Sequence, residues 1–169
     1  MPQTQQDSFL ALYEAFSPRV LAYVRRRISS DQAAEEIAAD VFRIAWQKSG
    51  IEPDPSIGWL LNVARNLIGN EYRRRARASQ LQDRLRDSER LHAQGGDDGG
   101  TQADIAAALA KVREKDREIL LLSYWEELTL AEIATVLACR EATARVRLHR
   151  ARKSFEQALP QRLRPTGRD

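Results

Sequence analysis

Residues 128–155 read LTLAEIATVLACREATARVRLHRARKSF, two short helical patterns joined by a turn, the second dense in arginine. Thr129 followed by Glu132 is a capping box, in which a hydroxyl and a carboxylate exchange hydrogen bonds with the backbone N–H groups that open a helix. It predicts a helix from Leu130 with Ile133, Ala134 and Leu137 on its apolar face. The turn then falls at 138–142 and a second helix starts near Thr143. Its period places Val146, Ala151 and Phe155 at buried or partly buried positions and leaves Arg145, Arg147, Arg150, Arg152 and Lys153 as a long basic surface. A helix-turn-helix that inserts its second helix into a DNA major groove has this composition.

Working outward, the C-terminal unit gains two more helices. Thr101 with Asp104 reads as a second capping box before Ile105–Val112, and a further helix begins near Lys115 and carries Ile119, Leu120, Leu121, Leu122 and Trp125. A turn at Glu126 and Glu127 leads into the helix-turn-helix, while Pro160 and Pro165 end ordered helix and leave a short basic tail. Upstream, 79–102 is polar and contains GGDDGG, with too little apolar surface to offset the entropy of ordering. That stretch is expected to be a flexible tether.

The N-terminal part shows three amphipathic patterns. Phe9, Leu12, Tyr13, Phe16, Val20, Tyr23, Val24 and Ile28 share one helical face, interrupted by Pro18, so either two helices or one kinked element is expected. From about Gln32 to Gln47 a stripe of Ala34, Ile37, Ala38, Val41, Phe42, Ala45 and Trp46 faces inward. Pro53 and Pro55 make 50–56 a loop, and Ser56 is placed to cap a third helix whose apolar face holds Trp59, Leu60, Val63, Ala64, Leu67 and Ile68. The expected fold is all-α: helical domains at 8–78 and 103–159, the tether between them and a tail at 160–169.

The 169 residues carry a net charge of only +3. Its distribution says more than its sum. Five arginines between Arg65 and Arg77 face Glu71, and six basic residues between Arg140 and Lys153 face Glu141. Two basic elements imply two contacts with a polyanion; ordinary solvated helix faces are the alternative. The single cysteine, Cys139, excludes an internal disulfide. His92 and His149 are separated and lack convergent ligands, so no metal and no cofactor is expected. No run is apolar and long enough for a membrane span, and the N-terminus lacks the pattern of a signal peptide, so the expected location is cytoplasmic. No nucleophile constellation, phosphate loop or paired carboxylate marks an enzyme.

Four segments, taken in order, resemble a known family: AEEIAADVFRIAWQK at 34–48, WLLNVARNLIGNEYRRRAR at 59–77, DREILLLSYWEELTLAEIATVL at 116–137 and TARVRLHRARKSF at 143–155. The chain resembles bacterial RNA polymerase sigma factors of the extracytoplasmic-function class. The resemblance implies a non-catalytic protein that binds core RNA polymerase, recognises the −35 and −10 promoter elements and helps open the latter. It implies core contacts at Glu35, Glu36, Asp40 and Arg43. It assigns the −10 element and its separated strand to Asn66, Arg65, Arg73, Arg74, Arg75 and Arg77; Trp59, a tryptophan on the apolar face at the start of its helix, is expected in the core rather than as a stacking platform. The −35 element falls to Arg140, Thr143, Arg145, Arg147 and Arg150. An anti-sigma factor is a further expected partner. The chain departs from the family pattern at Glu36 and Ala39, where aspartate and glutamine are usual, at Cys139 and Val146, where serine is frequent, and at Ala142-Thr143-Ala144 in place of Gly-Thr-Val. The competing reading is a helix-turn-helix regulator that binds duplex DNA without polymerase.

Overall fold

A computed structural model describes residues 2–49, 55–78 and 100–166. The described residues contain no strand and divide into two compact helical units. Residues 50–54 of the expected loop, most of the expected tether and His92 lie outside the described residues.

The N-terminal unit is three helices: α1 (Pro2–Arg25), α2 (Asp31–Lys48) and α3 (Ile57–Ala78). Pro18 does not break α1. Proline at this position removes one intrahelical bond, to the carbonyl four residues back, and both Pro18 and Glu14 are exposed, where water can serve that carbonyl. Ser30 caps α2 by accepting from Ala33 N–H at 3.2 Å, and Ser56 accepts from Trp59 N–H at 3.2 Å at the start of α3.

The first two helices run antiparallel, as their contacts show. Gln5 donates to the Ser49 carbonyl at 3.0 Å, Phe9 meets Trp46 edge-on with centroids 5.0 Å apart, Tyr13 meets Phe42 at 4.9 Å, and Arg25 pairs with Glu35 at 3.2 Å. The edge-to-face geometry is the one aromatic quadrupoles prefer. The predicted α2 stripe is buried from Ala34 to Ala45, whereas Trp46 remains 43% exposed. Tyr72 of α3 donates its hydroxyl to the Arg27 carbonyl and ties α3 to the α1–α2 corner.

The C-terminal unit comprises α4 (Thr101–Lys111), α5 (Glu114–Tyr124), α6 (Leu130–Val136) and α7 (Glu141–Ala158), then a 3-10 turn at Gln161–Leu163. Ile119, Leu122, Ile133, Ala144, Leu148 and Ala151 are buried between them, with α4 and α5 both packed on α7. The capping box of α6 is complete: Thr129 N–H donates to Glu132 Oε2 at 2.7 Å and Glu132 N–H to Thr129 Oγ1 at 3.2 Å. The one expected at Thr101 is absent. Gly100 is the N-cap, with no side-chain bond, and Asp104 instead accepts from Arg162.

Arg117 closes the other end of α4 by donating to the carbonyls of Leu109, Ala110 and Val112. Such bonds satisfy carbonyls that a helix C-terminus leaves open. The C-terminal tail is likewise engaged. Leu159 is buried, and Arg164 donates to the Gln157 and Leu159 carbonyls.

The turn of the helix-turn-helix is shorter than its sequence implies. Ala138 N–H donates to Thr135 O at 3.2 Å and Cys139 N–H to Ala134 O at 3.0 Å, a Schellman arrangement with Ala138 at φ 50°. Glycine ordinarily takes that left-handed position because it has no Cβ. Helix α7 therefore starts at Glu141, two residues earlier than predicted, and Ala142 is helical, so alanine there meets no backbone conflict. Its inward face is formed by Ala144, Leu148 and Ala151, spaced at i, i+4 and i+7, leaving Val146 49% exposed rather than buried.

Candidate functional site

Three exposed helix faces carry the residues singled out by the sequence. On α2 the buried positions leave Glu35, Glu36, Asp40 and Arg43 pointing outward. Their ties are local: Glu35 to Arg25, Glu36 to Gln32 at 3.2 Å, and Asp40 to Arg43 at 3.1 Å. Pairs this exposed contribute little and exchange readily for other partners.

On α3 the buried face is formed by Ile57, Leu60, Leu61, Ala64 and Ile68. Opposite it, Asn66, Asn70, Arg73 and Arg77 recur at near-whole turns and are all exposed. Trp59 continues the same row two turns earlier. It is half-buried, with Lys48 Nζ 4.9 Å above its ring, rather than a core residue. Its apolar neighbours Leu60 and Leu61 mask this in the sequence; the seven-residue spacing to Asn66 is the signal that reveals it. Asn66 donates to Asn62 Oδ1 at 3.5 Å, and Arg73 donates to Asn70.

The arginines expected to work together on α3 are separated. Arg74 grips Glu71 through two bonds, Nε to Oε2 at 2.9 Å and Nη2 to Oε1 at 2.7 Å. Arg75 donates Nε to the same Oε1 at 2.9 Å, and its side chain is only 16% exposed, close to the 15% of Glu71. Arg75 therefore lies toward the inward side of α3, apart from the outward row. Arg65 is half-buried on a flank. The Arg74 fork holds the Glu71 carboxyl below the usual carboxylate range; burial opposes this and the bond from Arg75 reinforces it.

On α7 every predicted residue is exposed, yet they form two rows. Thr143, Arg147 and Arg150 share one flank, with Arg140 as N-cap. Arg145, His149 and Arg152 share the other. That second row walls a groove of about 440 Å³ with Leu128, Leu130, Ile133 and Leu148 at its base. Arg145 pairs with Glu141 at 3.3 Å, and Arg152 donates to the Tyr124 hydroxyl at 2.8 Å. Arg145 is thus set apart from Arg147 and Arg150.

Cys139 is a half-buried free thiol in the turn. Among the described residues no His, Cys, Asp or Glu group converges as a metal site, and no helix is long and apolar enough to cross a membrane.

Comparison with known proteins identifies these units. The family models for sigma-70 region 2 and sigma-70 region 4 match residues 12–78 and 102–155. The chain is 30% identical over 155 residues to the ECF RNA polymerase sigma factor SigL of Mycobacterium tuberculosis, covering 88% of this chain and 87% of that one. It is 24% identical over 168 residues to the ECF sigma factor SigW of Bacillus subtilis, with 91% and 90% covered. Two solved structures share the fold. The sigma factor RpoE of Bartonella quintana, in complex with the anti-sigma factor NepR, gives a TM-score of 0.60 at 22% identity over 89% of this chain and 96% of that one. CnrH, in complex with the cytosolic domain of CnrY, gives 0.61 at 21% identity, with 90% and 87% covered. The chain belongs to the ECF sigma factors of the sigma-70 family, non-catalytic subunits that direct RNA polymerase to promoters.

Proposed function

We propose a division of this sigma function among three helix faces. The outward row of α2, Glu35, Glu36, Asp40 and Arg43, docks on core polymerase by exchanging its weak internal pairs for intermolecular ones. The outward face of α3 receives the separated non-template strand of the −10 element. One observation carries this reading: an aromatic ring, two amides and two guanidinium groups, from Trp59 through Asn66 and Asn70 to Arg73 and Arg77, lie along one helix face over about 27 Å. Aromatic rings stack on unpaired bases, amides read base edges, and arginines hold phosphates. Arg65 and Arg74 flank this row.

Helix α7 takes the −35 element. Its N-terminus with Thr143 meets phosphate, Arg140 enters beside it, and Arg147 and Arg150 grip one strand. Arg145 approaches from the opposite flank. The family matches at 12–78 and 102–155 support domains at 8–78 and 103–159. The proposed place of action is the cytoplasm, where core polymerase is found. RpoE is bound to an anti-sigma factor in its solved complex, which supports an anti-sigma partner for this chain as well.

The test is transcription from promoter fragments with purified core polymerase. Asn66→Ala is expected to reduce promoter opening by at least about tenfold, the order of a lost base-edge contact, with binding of upstream duplex unchanged. Equal loss of opening and duplex binding removes Asn66 from the strand site. For the partner, co-purification from native cells is expected to yield a complex besides holoenzyme, and repeated recovery of only free protein and holoenzyme excludes it.

A further inference from the structure

Glu71 sits in the middle of the α3 arginine run and is the single carboxylate there. Its side chain is 15% exposed and takes three bonds from two arginines. A carboxylate gripped by the guanidinium fork is a strong, directional pair that is mostly shielded from water on the acid side. The bond and charge of Glu71 strengthen the hold of Arg74 on its proton, and Glu36 of α2 adds a smaller contribution of the same sign. By contrast Arg73 rests on the neutral amide of Asn70 and keeps its full charge toward solvent.

We propose that Glu71 is a positioning residue that withholds Arg74 and Arg75 from nucleic acid, so that the separated strand meets Arg73 and Arg77 in line with Asn66. A phosphate reaching Arg74 meets a guanidinium whose Nε and Nη2 are already committed to Glu71 and whose charge that carboxylate offsets, and one reaching Arg75 has to enter the unit. The basic run therefore presents fewer cations than its sequence contains. The strand is kept on the narrow face that carries the amides, and non-specific grip along the flank is reduced. This inference rests on the reading of α3 as the strand-binding face.

The experiment measures binding of the assembled polymerase–sigma complex to a forked DNA with a single-stranded non-template tail, across a salt series. Each phosphate neutralised on a single strand contributes about 0.7 to the slope of log affinity against log salt. Glu71→Gln keeps an acceptor but removes the charge, and it is expected to steepen the slope by about 0.7 as Arg74 is released. Arg74→Gln is expected to leave the slope unchanged, which keeps the test open should the Glu71 variant fold poorly. The double substitution Arg73→Ala, Arg77→Ala is expected to flatten the slope by about 1.4, twice the single-contact value.

An unchanged or shallower slope in Glu71→Gln, or a slope shallower by about 0.7 in Arg74→Gln, overturns the inference while leaving the strand face intact if the double variant still flattens. A double variant with the wild-type slope removes the strand face and the inference with it.

Discussion

The arginine runs of α3 and α7 look alike in sequence, each a row of cations with one glutamate, but the two glutamates do different things. Glu71 is 15% exposed and engages two guanidinium groups, whereas Glu141 is 52% exposed and meets Arg145 alone at 3.3 Å. The number of arginines in a run therefore does not give the charge it presents; the burial of the nearby acid decides that. On α3 the acid sorts the arginines into pinned and presented. On α7 the helix phase does the sorting, into a groove flank and an open flank.

The largest way to break this comparison is to delete both acids. Glu71→Ala removes a shielded carboxylate that takes three bonds from Arg74 and Arg75, and is expected to cost about 2 kcal/mol, read from urea unfolding. Glu141→Ala, at an exposed i,i+4 pair, is expected to change stability by less than about 0.5 kcal/mol. Similar costs at the two sites abolish the distinction. The pH dependence sharpens it. The folded Glu71 carboxyl lies below its ordinary value, so its contribution is fully present above the ordinary carboxylate range and is lost as pH falls through the lowered value. Glu71→Gln is expected to flatten the acid limb of stability against pH, and an acid limb identical to wild type removes the shielded pair as its source.

Ala138 is expected to have the next effect, because its left-handed conformation closes the turn before α7. An alanine there costs about 1 kcal/mol more than glycine. Ala138→Gly is expected to raise stability by about that amount in the same unfolding measurement, with promoter preference retained. Destabilisation shows that the turn does not carry the strain assigned to it.

Where sequence foretold structure and where it did not follows from the same physics. The α2 stripe, the α6 capping box and the Ser56 cap were legible because apolar period and cap chemistry act over three or four residues. The phase of α7 was not. Val146 outweighs Ala144 in apolar character, but close helix packing selects the small residue, and a turn closed by alanine instead of glycine hides the start of the helix. The bonds of Arg164 near the 3-10 turn at Gln161–Leu163 fall in what the sequence shows only as a short basic tail, since arginine bonds to carbonyls leave no periodic signature. At the candidate site, the family resemblance supplied the outward residues of α2 and α7. It could not tell Arg75 from Arg73, because that difference rests on a carboxylate approached from the side.

The smallest expected effect separates the two flanks of α7. Arg147 lies in the Thr143–Arg147–Arg150 row, away from the groove, while Arg145 lines the groove and is paired with Glu141. A phosphate contact on duplex DNA contributes about 0.9 to the salt slope, so Arg147→Ala is expected to flatten the slope of holoenzyme binding to upstream duplex by about that amount, uniformly across sequences. Arg145→Ala removes a guanidinium that stands on the groove flank and meets Glu141 only through an exposed pair. It is expected to leave the slope nearly unchanged and instead to relax preference among −35 sequences, because a side chain on this flank near the helix start reaches base edges before it reaches phosphate. If both substitutions flatten the slope equally and neither alters preference, the two rows act as one backbone clamp, and the helix phase that distinguishes α7 from α3 has no consequence for recognition.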